Sequence, residues 1–276
     1  MRVVLVSFLR GWEFWRGEAR RLGIDLAKLA NERKFAFVDG LTGLFSHEVA
    51  HPTSTPIALH GRPPAPHASR FVAAARAPPA SRPAPVHQKS SGPTTLHWSM
   101  AGKLEAIERD IISAIESLKS HAGEDDRVSS TEDVLLVIDQ PDMLLAATGP
   151  EAGIGAVEVK DMIMGLRQLF QHVHSTLLTL AADAPLIHSE EQRTPLELEH
   201  ASLVVTMAYQ ARMVMQLRGL ETGVARDVSG VLQINKGVSF ANTSDSKHMG
   251  EDDIEPKEVL YYVQSDGAVR VFGRGE

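Results

Sequence analysis

The chain has no cysteine among its 276 residues. That excludes disulfide frameworks and thiolate metal sites, and it is compatible with a reducing compartment. Long hydrophobic runs are missing as well. The first, in MRVVLVSFLRGWEFW, extends about seven residues before Arg10, too short to cross a bilayer, and it lacks a small-residue cleavage site. It reads as a strand. Also absent is G-x-x-x-x-G-K-[ST], the glycine-rich loop with lysine and hydroxyl that cradles nucleotide phosphates and magnesium. Finally, no acidic residue lies between Val49 and Lys103.

That acid-free stretch holds ten of the fifteen prolines, in HPTSTPIALHGRPPAPHASR and APPASRPAPVHQKSSGP. Dense proline removes backbone donors and blocks helix and sheet, and the few large apolar residues cannot offset the entropy of ordering. Residues 47–97 are therefore expected to be a disordered Pro/Ala/His-rich insertion. Arg62, Arg70, Arg76, Arg82 and Lys89 give it +5, so the remainder carries −12, the difference between the net −7 and +5. RNA contact by the folded part would need a local basic patch or a more basic partner. The six histidines from His47 to His97 repeat no ligand spacing, and no metal site is expected.

With 43% hydrophobic residues the rest can bury a sizeable core. VVLVSF (3–8) is a continuous apolar run. Trp12, Trp15, Ala19, Leu22, Leu26 and Leu29 then recur at helical spacing before FAFVDGL (35–41), giving a βαβ unit. Leu104, Ile107, Ile111, Ile115 and Leu118 form a helical stripe, as do Val159, Ile163, Leu166, Phe170 and Val173, and STLLTLAAD (175–183) is another strand. In TPLELEHASLVVTMAYQA, Thr194 is an N-cap, Pro195 the first helical residue and Glu197 the third, the pattern of a capping box. Four short strands follow without helices: RMVMQLRGL (212–220), GVLQINKG (230–237), EVLYYVQ (258–264) and AVRVFG (268–273), with a turn at Ser265 to Gly267. The order predicts an α/β fold whose sheet is parallel at its centre and mixed toward one edge, with helices on both faces.

DVLLVIDQPDMLLAATG (133–149) reads as a strand buried on both faces. Nucleotide-handling proteins place a magnesium ligand where Asp139 stands, at the carboxyl end of such a strand. Without a phosphate loop, Asp139 reads as a structural cap or vestigial nucleotide-site acid. The glycine cluster ATGPEAGIGAVEVKD has Gly153 and Gly155 but neither a following Gly-Lys-Ser nor a third loop glycine. His172 and His174 have no third ligand nearby and mark a helix end near a strand start. His188, Ser189 and Glu190 lack a nucleophile elbow and read as a surface loop. Met207, Met213 and Met215 read as core. In RGLETGVARDVSGVLQINKG (218–237), Arg218, Arg226 and Lys236 are expected to converge on one end of the sheet, to meet RNA phosphates, a neighbouring subunit's acids, or solvent.

LVSFLRGWEFWRGEARRLGIDL with FAFVDGLTGLF, LLVIDQPDMLLAATG and RMVMQLRGLETGVARDVSGVLQINKG together resemble the sixth subunit of the Elongator complex, fungal type. These stretches span nearly all of the chain outside the insertion. The resemblance implies a RecA-like fold without a working P-loop, no catalysis and no cofactor. It also implies a hetero-hexameric ring with the fourth and fifth Elongator subunits, contact with the remaining subunits, and tRNA binding in the modification of the wobble uridine. The implied location is the cytoplasm and also the nucleus, with no membrane partner. Members of that family usually carry a strand, a degenerate loop and a helix ahead of the segment matching VVLVSF. Residues 1–46 and 98–276 are thus expected to be one RecA-like domain lacking that N-terminal strand, loop and helix. A stand-alone nucleotide hydrolase using Asp139 with an unconventional loop is the competing reading. A third is a scaffold that touches no RNA.

Overall fold

The computed structural model describes residues 1–45, 93–96, 98, 103–119, 134–148, 153–169, 173–187, 193–220, 223, 225–238 and 254–273. All of these belong to one compact unit, Met1–Ser46 with Ser91–Glu276; the other unit, His47–Ser90, lies outside the described residues.

Strands β1 (Arg2–Ser7), β2 (Phe35–Asp39), β3 (Thr94–Thr95), β4 (Val134–Asp139) and β5 (Val173–Thr179) form a parallel sheet in the order β3-β2-β1-β4-β5. Register aligns alternate residues into two layers: Val4 lies between Ala36 and Leu136, and Leu5 between Phe37 and Val137. Because successive side chains point to opposite faces, each layer needs its own cover. On one face Val4, Val6, Leu136 and Ile138 pack with Ile107, Ile111 and Ile115 of α4 (Lys103–Lys119) and Val159, Ile163 and Leu166 of α6 (Ala156–Leu169). On the other, Leu5, Phe35 and Phe37 pack with Trp12 and Trp15 of α1 (Trp12–Arg21) and Leu26 of α2 (Leu26–Asn31). Burial of large apolar side chains at roughly 1.5–3 kcal/mol each makes these two layers the main source of stability.

The single helix suggested by the Trp12 to Leu29 stripe is two helices. The chain turns at Gly23, whose φ of +76° suits glycine, and Asp25 restarts it by accepting the N–H groups of Ala27 and Lys28. The second strand ends at Asp39, two residues earlier than its apolar pattern suggests. There Asp39 accepts the backbone N–H and hydroxyl of Thr42, starting α3 (Gly40–Phe45). Two short helices, α5 (Met143–Thr148) and α7 (Ala184–Ile187), have no periodic signal long enough to read.

Part of the expected insertion is ordered structure. Thr94 and Thr95 pair with Val38 and Asp39, and Leu96 is buried at 3% exposure beside Gly43. Of residues 47–97, those other than 93–96 lie outside the described residues.

After β5, helix α8 (Pro195–Gln210) begins with the capping box anticipated: Thr194 N–H donates to Glu197 at 2.7 Å and Glu197 N–H donates to the Thr194 hydroxyl at 3.3 Å. Strands β6 (Met213–Arg218), β7 (Gly230–Lys236), β8 (Lys257–Val263) and β9 (Val269–Phe272) follow, all antiparallel. Among the described residues they hydrogen-bond as a four-stranded sheet of their own, in chain order, rather than as the mixed edge of the parallel one. Gln264 and Ala268 close the β8–β9 turn, with Gly267 at φ +88°.

Candidate functional site

In open parallel sheets, ligands bind outside the carboxyl ends of the strands, at the point where successive connections diverge. Here the chain runs from β1 outward through β2 to β3, then resumes on the other side at β4, so the switch lies between β1 and β4. Asp139 ends β4 at that point and is 8% exposed. One carboxylate oxygen accepts the Ser7 hydroxyl from β1 at 2.7 Å, and the other accepts the Thr179 hydroxyl from β5 at 2.7 Å. Ser7 in turn accepts the backbone N–H of Arg10 at 3.0 Å. The carboxylate therefore cross-links three strands.

The surrounding backbone tightens the same point. Phe8 N–H donates to the Asp139 carbonyl at 3.0 Å, continuing the β1–β4 ladder one residue past the strand ends, and the Phe8 ring is fully buried against Gly40. Gln140 adopts φ +54°, an uncommon conformation for a side-chain-bearing residue, and its N–H donates to the Thr179 hydroxyl and carbonyl. Asp39, the acid ending β2, is engaged by Thr42. Both strand-end acids thus serve local structure.

Among the described residues, the glycine cluster offers no phosphate cradle. Gly153 has φ +64°, and α6 begins three residues later, so its first amides are oriented as an anion site requires. Those amides already have anions. Gly155 N–H donates to Glu158 at 2.9 Å and Ala156 N–H donates to Glu199 of α8 at 2.6 Å. A cavity of about 500 Å³ opens beside them, lined by Leu145, Ile154, Val157, Pro195, Leu196 and these two glutamates. An incoming phosphate would meet two carboxylates.

A polar pair invisible in the sequence lies nearby. Asp142, at the start of α5, faces His200 of α8 at 3.3 Å, and both are buried. Among the described residues, Asp142 Oδ1 and His200 Nδ1 have no hydrogen-bond partner. The 58-residue separation leaves no local pattern from which to infer the contact.

The three cations expected to converge do not. Arg218 pairs with Val231 at one end of the β6–β7 ladder and Lys236 with Met213 at the other, about 17 Å away by strand rise. Antiparallel pairing puts the end of β7 beside the beginning of β6, opposite the loop. Arg218 makes a 3.1 Å ion pair with Glu258, and Arg226 is exposed in the connecting segment. Of the methionines expected in the core, Met207 is buried, whereas Met213 and Met215 are exposed on β6. His174 is an exposed residue of β5; His172 and residues 188–190 lie outside the described residues. Among the described residues there is no group of three His, Asp or Glu that could hold a metal ion, and no helix long and apolar enough to cross a membrane.

No protein-family model and no curated protein matches the chain. Solved structures do. An uncharacterized protein from Pyrococcus horikoshii, crystallised in complex with an unknown peptide, aligns over 99% of this chain and 80% of its own with a TM-score of 0.51 at 10% identity. A KaiC-like protein from the same archaeon aligns over 98% of this chain and 76% of its own with a TM-score of 0.45 at 13% identity. At such identity the likeness speaks to fold alone. The fold is α/β and RecA-like, and the sequence lacks the G-x-x-x-x-G-K-[ST] phosphate-binding pattern.

Proposed function

We propose that the chain is a non-catalytic subunit of the Elongator ring, the sixth-subunit type that its sequence resembles. It supports tRNA binding and wobble-uridine modification alongside the fourth and fifth subunits, in the cytoplasm and also the nucleus. The observation that carries the non-catalytic part is the Asp139 carboxylate. Each of its oxygens holds a strand-end hydroxyl, Ser7 or Thr179, in the position where a nucleotide hydrolase would use that carboxylate on magnesium or water. A group whose oxygens stitch three strands together is a structural cap. In this reading Arg226, exposed in the β6–β7 connection, is the candidate tRNA contact. Arg218 is held by Glu258, and Lys236 stands at the far end of the ladder.

Co-expression with the fourth and fifth Elongator subunits of the same organism, followed by mass determination, tests the assembly. A hexamer-sized particle containing this chain is expected; exclusion from that particle would end the Elongator reading. Within the ring, Arg226→Ala should weaken tRNA binding and lower its salt dependence by about one phosphate contact. Unchanged affinity would leave a scaffold that touches no RNA. Nucleotide hydrolysis by the purified chain, lost in Asp139→Ala, would instead establish the hydrolase.

A further inference from the structure

The charge of the chain is unevenly placed. Residues 1–46 hold eight Lys and Arg against five Asp and Glu, a net of +3, whereas residues 98–276 hold 15 against 29, a net of −14. Of these two stretches only the first attracts an anionic ligand. Within α1 and the residue before its cap, two arginines carry the excess. Glu13 is neutralised by Arg16 at 2.7 Å and Glu18 by Arg21 at 3.1 Å. Arg10 and Arg20 are both exposed, and among the described residues neither makes an ion pair.

The outward side of α1 arranges these charges around a bare centre. Trp12, Trp15 and Ala19 pack inward against the sheet. Phe14, Gly17 and Arg21, at spacings of three and four, form a row on the other side, with Arg20 three residues after Gly17. Arg10 joins the row at its start, its guanidinium carbon 4.9 Å from the centre of the Phe14 ring. Trp15 meets the same ring edge to face at 5.6 Å, so Phe14 is held in place although 42% exposed. Gly17 is exposed and has nothing within 4 Å of where its Cβ would stand. A glycine inside a helix weakens it, and no described neighbour requires one here. What it provides is helix backbone open to close approach.

We propose that this row binds an unpaired stretch of nucleic acid. A base stacks against the Arg10–Phe14 pair, the sugar–phosphate chain crosses the bare helix at Gly17, and Arg20 and Arg21 hold its phosphates. Releasing Arg21 from Glu18 costs little, because an ion pair between exposed side chains is weak. The chemistry of the row selects nucleic acid over an acidic protein segment. A protein partner needs an apolar core to bury, and Phe14 is the one apolar side chain among Arg10, Phe14, Gly17, Arg20 and Arg21. An aromatic ring with an arginine on its face is instead a platform for a base, and only an unpaired base reaches it. The surface uses residues other than Arg226 and needs no other subunit, so it goes beyond the Elongator reading.

Fluorescence anisotropy with the full-length chain and a labelled short oligouridylate tests it. Binding should weaken as salt rises, and Arg10→Ala and Arg20→Ala should each reduce the slope of log affinity against log salt by about 0.7. Phe14→Ala should weaken binding about tenfold and leave that slope unchanged, because it removes stacking and no charge. Gly17→Gln is the decisive variant. It should raise the melting temperature yet weaken binding about fivefold, a loss that unfolding cannot explain. Oligothymidylate should bind as oligouridylate does, since stacking and phosphate contacts are common to both. No binding by the wild-type chain, folded variants that bind like wild type, or competition by poly-glutamate as effective as by unlabelled oligouridylate would each overturn the proposal. None of these results depends on whether the chain enters an Elongator ring, and exclusion from that ring would leave this surface standing.

Discussion

Ser7 donates its hydroxyl to Asp139 at 2.7 Å across the parallel β1–β4 pair, joining residues 132 positions apart. With Thr179 on the second oxygen, the carboxylate accepts the protons of two hydroxyls whose oxygens are already taken by the N–H groups of Arg10 and Gln140. Leaving a buried polar group unsatisfied costs about 1–3 kcal/mol. Asp139→Ala should therefore destabilise the chain by about 2–4 kcal/mol in urea unfolding, counting both hydroxyls. Asp139→Asn, which keeps one acceptor, should cost less. An Asp139→Ala variant as stable as wild type would show that the carboxylate is not a structural cap.

Glycine substitutions should separate by sign. A Cβ at Gly43 would collide with the Leu96 backbone carbonyl, and one at Gly40 would sit 2.6 Å from the buried Phe8 ring. Both Ala variants should lower stability by about 1–3 kcal/mol or more, Gly43→Ala the more severely because backbone yields less than a side chain. Gly17 lies within α1 with nothing within 4 Å of its Cβ position, so Gly17→Ala should raise stability by about 0.5–1 kcal/mol. Thermal melts of the three variants decide this.

The capping box gives α8 a pH-dependent start. The Thr194 backbone N–H, then its hydroxyl, hold the Glu197 carboxyl below its ordinary value. A carboxyl with a lowered folded pKa contributes stability that is complete above its unfolded pKa and is lost as pH falls through the folded one. Stability should thus decline as pH drops below the ordinary glutamate range, and Glu197→Gln should remove that part of the dependence. Thr194→Ala should cost about 1 kcal/mol at neutral pH. Urea titrations between neutral and acid pH, comparing wild type with Glu197→Gln, provide the measurement.

Asp142 and His200 should be energetically coupled. Replacing either by leucine leaves the other's polar atoms buried without the partner, whereas replacing both removes two unsatisfied groups together. The double variant should be more stable than the sum of the single effects predicts, by about 0.5–3 kcal/mol in a double-mutant cycle. Additive single effects would mean that the 3.3 Å contact carries no energy.

Local signals were legible to the residue where one short segment contained the whole mechanism. Thr194, Pro195 and Glu197 announced the α8 start, and β4 was readable because both of its faces are buried. The α/β order followed from alternating periodicities, and RecA-like architecture from the family resemblance. What escaped depends on partners distant in sequence. Lys236 lies at the far end of the ladder from Arg218 because register, not chain proximity, decides who neighbours whom in an antiparallel pair. Met213 and Met215 are apolar by pattern yet uncovered by any described helix. The Ser7–Asp139–Thr179 cross-link joins three strands whose order in the sheet no local pattern reveals, and Asp142 with His200 is equally non-local. Asp139 itself was identifiable as a strand-end acid, but the hydroxyls that hold it were not.

The parallel pairing of β1 with β4 also sets a schedule for biosynthesis. Arg2 to Ser7 cannot find Val134 to Asp139 until the 126 residues between the two strands have been made. At translation rates of about 5–20 residues per second, the wait is on the order of ten seconds. Throughout that interval Val4 and Val6, fully buried in the finished protein, have no β4 to rest on. Until β4 has been made, the nascent chain must keep this β-prone segment from associating with its neighbours.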